Sequence, residues 1–364
     1  MAYTGSATTT QIVELELLRL RTSSNGRGAP VLVRVADADG VNGWGEIPGA
    51  TPEQWQSLGS QFAPALLDHV WSRPTEAGEA WADLPWDPAV AGALDTACWD
   101  LWSRQRRTPL AYALGGQRTA LTAGVSLAQQ KTVESAVREV NRQVGAGFRR
   151  IRLEISPGWD LDVVHAVQAS FPFLVLQVDA VGRYTESPEH LEALHALDGL
   201  GLLAIEDPFA PDDLEAHTRL TSELRTPVAL YRSLTCLEDL DEAIRAEAGD
   251  VVNVDLGRLG GLTPARRAVD RAVDAGRQVW CGSSAATGVG RAATVALASL
   301  SGATLPVEMP GAGRRGRDVV SPPVRAHDGV VPVPLTESGL GHGVDRRVLS
   351  GRTAKSVVLA PPHT

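Results

Sequence analysis

Apolar and polar positions alternate along residues 11–22 and 30–46, which predicts two early strands. The run Ala36-Asp37-Ala38-Asp39-Gly40 inside the second stretch reads as a tight turn. The period then lengthens. Residues 52–72 and 87–106 read as helices, and in the second Ala91, Leu94, Ala97, Cys98 and Leu101 share one face. From residue 120 onward, short apolar runs alternate with amphipathic stretches such as Val133–Val144 and Asp160–Ser170. The runs lie at 122–127, 150–155, 174–180, 202–208, 227–233, 251–258, 277–283 and 303–307. Such alternation predicts parallel βαβ units, and eight strands suit a closed α/β barrel better than an open sheet. Beyond residue 320 the chain reads as strand and turn, with Val330-Val331-Pro332-Val333-Pro334, and is expected to return to the N-terminal unit.

Charge and composition narrow the function. The 364 residues carry a formal net charge of -9. An acidic chain argues against nonspecific binding to nucleic acid or to anionic membranes. No run of 18 apolar residues occurs, and the first ten residues lack the charged and apolar regions of a secretory signal. Cys98, Cys236 and Cys281 are odd in number and far apart, which predicts reduced thiols and a cytoplasmic protein. The expected partner is a small-molecule substrate, and the expected assembly a homo-oligomer. Lysine occurs only at Lys131 and Lys355, so an active-site amine is scarce. Arginine stays protonated near neutral pH and shuttles protons poorly.

Several segments together carry a family resemblance. Gly43-Trp44-Gly45-Glu46, Ala93-Leu94-Asp95-Thr96-Ala97-Cys98-Trp99-Asp100-Leu101 and Gly115-Gly116 resemble the capping domain of the enolase superfamily. Phe148 to Asp160 resembles the second barrel strand of o-succinylbenzoate synthases and N-acylamino acid racemases. Gln177-Val178-Asp179-Ala180, Ile205-Glu206-Asp207-Pro208 and Val252 to Gly261 resemble the third, fourth and sixth strands, and Val279 to Ala293 the seventh. The resemblance implies a (β/α)7β TIM-like barrel at residues 119–319. It also implies an α+β capping domain at residues 1–118 with 320–364. In this family magnesium is held by three acids on consecutive strands, and two lysines handle the proton of an enediolate intermediate.

Set against that pattern, the lysine positions are occupied by Glu154, in Arg152-Leu153-Glu154, and by Asp255. Asp179 and Glu206 match two metal acids. The third lies in a Leu-Asp-Glu-Ser motif that here reads Leu230-Tyr231-Arg232-Ser233. A guanidinium from Arg232 beside Asp179 and Glu206 would stand in for the ion. We therefore expect a site without metal or other cofactor; the alternative is magnesium on Asp179, Glu206 and Glu154. Glu154 and Asp255 are expected to face each other as an acid/base pair, with Arg152, Arg232 and Tyr231 binding developing negative charge. Asp179 and Glu206 would contact substrate, as would Ser24 and Asn25 in a lid loop and Ser283 and Ser284 after the seventh strand. The expected activity is metal-independent cyclisation, isomerisation or dehydration of a small organic molecule in natural-product metabolism, a pericyclic-type cyclisation included. The alternatives are a noncatalytic small-molecule binder and, third, magnesium-dependent o-succinylbenzoate synthesis or racemisation.

Overall fold

The computed structural model describes residues 9–21, 28–282, 285–312 and 317–361. Strands β1 (Glu14–Leu20), β2 (Ala29–Ala36) and β3 (Asn42–Ala50) form an antiparallel meander. In β2, Val31, Val33 and Val35 enter the cap core, whereas Leu32 points into the core shared with the barrel. A strand buried on both faces has to be largely apolar, which explains its apolar run, broken only by Arg34, a partly buried cation paired with Glu14. The β2–β3 turn is held by the Asp37 carboxylate, which accepts from the Asp39 and Val41 amides. Gly40 completes it at φ +79.

Helix α1 (Pro88–Gln105) lies across this sheet. Its N-terminus is capped by Asp87, whose carboxylate accepts from the Ala89 and Val90 amides, with proline in the first turn. A Cβ at Gly43 would stand 2.1 Å from the Ala97 carbonyl oxygen, and one at Gly45 would stand 1.8 Å from that of Ala93. The two glycines thus let helix and sheet backbones touch. The stretch 52–72, expected as one helix, is instead broken into Pro52–Ser57, a π turn at Leu58–Phe62, Ala63–Leu67 and a short strand at Val70–Trp71. Pro64 has no amide hydrogen for the helical ladder, which accounts for the irregular middle.

The expected barrel is present. Its strands are β4 (Ala120–Leu127), β5 (Arg150–Glu154), β6 (Val175–Asp179), β7 (Ile205–Glu206), β8 (Val228–Leu230), β9 (Val251–Asn253), β10 (Gln278–Trp280) and β11 (Val307–Glu308). They pair in parallel in sequence order, and β11 returns to β4. Between β10 and β11, Leu305 N donates to Val279 O at 3.2 Å and Glu308 N to Cys281 O at 3.1 Å, closing the ring. The apolar run expected as a strand over 251–258 stops at Asn253. Asp255 then caps a one-turn helix, Leu256–Leu259, through the Gly257 amide. The tail divides its pairing. Strand β12 (Val330–Pro332) lies antiparallel on β4, and β13 (Thr353–Leu359) returns to β1. Among the described residues no helix is long and apolar enough to cross a membrane.

Candidate active site

Parallel register sets the acids side by side. Glu154 pairs with Asp179 across β5–β6, and Asp179 with Glu206 across β6–β7, all at strand C-terminal ends. That is where α/β barrels carry their chemistry. Glu206 is fully buried, and a cation answers it: the Arg152 guanidinium forks onto its carboxylate through Nε and Nη2. Arg152 Nη2 also lies 2.8 Å from Asp179. Gln177 Nε2 at 2.7 Å and Asn253 Nδ2 at 3.2 Å complete the Glu206 shell. Burial raises the Glu206 pKa against the opposing pull of Arg152. Burial alone would lower Arg152, and the charges of Glu206 and Asp179 more than reverse it.

Arg232 lies on Asp179 as the sequence suggests, donating from Nη1 and Nη2 at 2.9 and 3.1 Å. Its second acid is Asp207 instead of Glu206, at 2.7 Å from Nη1. Asp207 was not among the residues expected here. By strand alternation the residue after Glu206 points away from the barrel axis. Asp207 has φ +43, however, and this left-handed kink turns it inward, where its carboxylate also accepts from the Tyr231 and Arg232 amides. An acid in direct succession to Glu206 is the only signal the sequence offered.

Glu154 is turned elsewhere. It is bound by Arg183 Nη2 at 2.6 Å and is partly exposed, outside the buried cluster. Asp255 is 3% exposed and accepts the Tyr231 hydroxyl at 3.0 Å. Burial, then the Asp255 charge, pushes the Tyr231 phenol well above its usual pKa, so it keeps its proton. Arg258 lies over the Tyr231 ring at 5.0 Å. Ser24, Asn25, Ser283 and Ser284 lie outside the described residues.

The expectation of a site without metal is overturned by this geometry. Asp179, Glu206 and Asp207 bring three buried carboxylates within 4.8 Å of one another, a hard-oxygen set of the kind magnesium takes. Glu154, the acid expected to join the other two, is replaced in that set by Asp207. Arg152 and Arg232 lie on the same oxygens, so an ion has to compete with them. Arg232→Gln is accordingly expected to tighten magnesium or manganese binding by about tenfold or more, because it removes a unit charge beside the ion. Calorimetric titration of both proteins checks this, and equal affinities would show that the guanidinium does not contest the ion.

Tyr231, Gly257 and Arg258 help to line a cavity of about 1820 Å³, together with cap, barrel and C-terminal residues.

Residues 135–348 match the family described as Enolase C-terminal domain-like. The chain is 37% identical to an o-succinylbenzoate synthase of Geobacillus kaustophilus over 327 residues, covering 87% of this chain and 86% of that protein. It is 41% identical over 284 residues to an N-succinylamino acid racemase of Thermus thermophilus, covering 78% and 76%. A crystal structure of an enolase superfamily member from Listeria innocua superposes with a TM-score of 0.89 at 26% identity, covering 96% of this chain and 99% of that one. With a matched family, close relatives and the same barrel-and-cap architecture, the chain belongs to the enolase superfamily.

Proposed function

We propose that this enzyme catalyses a proton-transfer isomerisation or dehydration of a small organic substrate bound in the cavity over Tyr231. The Tyr231–Asp255 hydrogen bond carries this reading. It puts a phenol that retains its proton on the cavity lining, oriented by the Asp255 carboxylate, where it is placed to donate to a substrate oxygen on which negative charge develops. Arg258 over the ring and the Arg232 guanidinium 5.3 Å from it offer positive charge beside a developing oxyanion. Asp179, Glu206 and Asp207 would hold a divalent ion, and such an ion supplies Lewis-acid stabilisation of a substrate oxyanion when bound. The family relatives, which form o-succinylbenzoate or racemise N-succinylamino acids by name, support small-molecule chemistry of this kind.

The test follows hydrogen exchange in D2O on N-succinylamino acids and related carboxylates, with and without magnesium. Tyr231→Phe is expected to lower the exchange rate about 100-fold with substrate affinity little changed, and Asp255→Asn to do likewise. Full activity in both variants would sink the assignment of the proton to this pair.

A further inference from the structure

The cap reaches the Asp255–Tyr231 pair through a loop of the barrel. Asp255 begins the one-turn helix Leu256–Leu259, and Gly260 and Gly261 follow it at φ +92 and +110. The Gly261 amide donates back to the Leu256 carbonyl at 2.9 Å, so residues 256–261 form a closed loop. A barrel helix, Leu262–Asp274, starts directly after it. Gly261 has no side chain to cap that helix, and no acid lies in its first turn. The acid comes from the cap instead. Asp95, on α1 and 3% exposed, accepts the Thr263 amide at 2.9 Å, together with the Thr263 hydroxyl and the Leu262 amide. Packing leaves this contact no slack. A Cβ at Gly261 would stand 2.5 Å from Asp95 Oδ2. One at Gly92, a turn earlier on α1, would stand 3.0 Å from both the Gly261 nitrogen and the Leu256 carbonyl oxygen.

From this chain of contacts we infer that Asp95 is a positioning residue, which holds the far end of the loop to α1 and so fixes the Asp255 carboxylate that orients Tyr231. At the near end of the loop, Asp255 accepts the Gly257 amide through Oδ1 at 2.8 Å and the Tyr231 hydroxyl through Oδ2 at 3.0 Å. Tyr231 itself follows β8, so a shift of the loop against that strand draws the carboxylate off the phenol. A small misplacement of a reacting group slows the chemical step while substrate still binds. This role rests on the Tyr231 reading; the link from Asp95 to the loop does not.

The experiment measures amide hydrogen exchange and substrate exchange in D2O on the full chain at pH 8, above the value of about 7 to which burial raises the Asp95 pKa. Asp95→Asn keeps the size of the side chain but turns an amide NH2 toward donors. It is expected to quicken exchange about tenfold or more at the Thr263, Gly261 and Gly257 amides, with β5 and β6 unchanged. It should also lower kcat for substrate exchange about tenfold, with KM held within about twofold. Trp99→Phe is the control. It removes another tie from α1, the bond from Trp99 Nε1 to the Thr263 hydroxyl at 2.8 Å, and should leave Gly257 protection and kcat unchanged. Thr263→Val takes from Asp95 the hydroxyl alone and should move the same amides by less; it carries the test if Asp95→Asn does not fold. Native protection at Gly257 in Asp95→Asn would break the link. An unchanged kcat despite a loosened Gly257, or an equal loss in Trp99→Phe, would reduce Asp95 to ordinary domain packing. Full activity in Tyr231→Phe would instead remove the Tyr231 reading and leave the amide-exchange result standing.

Discussion

Arg152→Leu is expected to lower folding stability by roughly 3–5 kcal/mol near neutral pH, the usual loss when one partner of a buried ion pair is removed. Asp179 retains Arg232, but Glu206 loses its fork and keeps only the neutral donors of Gln177 and Asn253. The loss should depend on pH in a definite direction. The folded-state pKa of Glu206 is already raised, to about 7, by burial. A carboxyl with a raised pKa binds its proton more tightly in the folded than in the unfolded chain, so its contribution favours folding at low pH and fades as pH rises through the folded value. Removing Arg152 strengthens that bias. The deficit of the variant is thus expected to be largest above pH 7 and to shrink as pH falls toward the unfolded value. Urea unfolding at pH 8 and pH 5.5 measures it. The double variant Arg152→Leu with Glu206→Leu, which removes both charges, should recover much of the stability of the native protein. A deficit unchanged by pH and by the second substitution would mean that Arg152 acts through packing on Trp280, whose ring it faces at 5.6 Å, and not through charge.

The same residues show how far the sequence alone could be read. Asp179 and Glu206 were legible because their segments match the metal-acid positions of the family the sequence resembles, and parallel register then sets them side by side. Arg232 was legible as their cation because it stands in the segment where that family carries its third acid. Its exact partner was not, because Asp207 enters the site only through a backbone kink that strand alternation does not predict. The sequence placed Glu154 correctly on β5, but not its orientation, which Arg183 sets from the loop after β6. A side chain at a strand end can turn inward or along the rim, and the choice falls to a charged neighbour distant in sequence. The metal-free expectation erred for a related reason. It counted acids by motif position, whereas the structure assembles its third carboxylate from a residue outside that count. The cavity was equally hidden, since among the described residues its lining is scattered from residue 21 to residue 352 and meets only when cap and barrel close.

That closure depends on Glu46, and its loss is expected to have the second large effect. The side chain leaves β3 of the cap and is 8% exposed. Its carboxylate accepts from the Ala286 amide, from the Thr287 amide and hydroxyl, and from the Gly290 amide. These donors open the barrel helix Gly288–Ala298, so an anion on one domain caps a helix of the other. Glu46→Ala leaves buried donors without an acceptor and no room for a full water shell, and should cost about 3 kcal/mol. Glu46→Gln keeps one acceptor oxygen but turns an amide group toward the remaining N–H groups, so it should recover only part of that. Because Ala285 and Ala286 also line the cavity, the damage should centre there. Amide hydrogen exchange is expected to quicken at Ala286, Thr287 and Gly290 in Glu46→Ala, while amides of β5 and β6 hold their native protection. If protection fell evenly across the barrel instead, Glu46 would be a support of the whole fold, and the local link between cap strand, helix terminus and cavity wall would have to be abandoned.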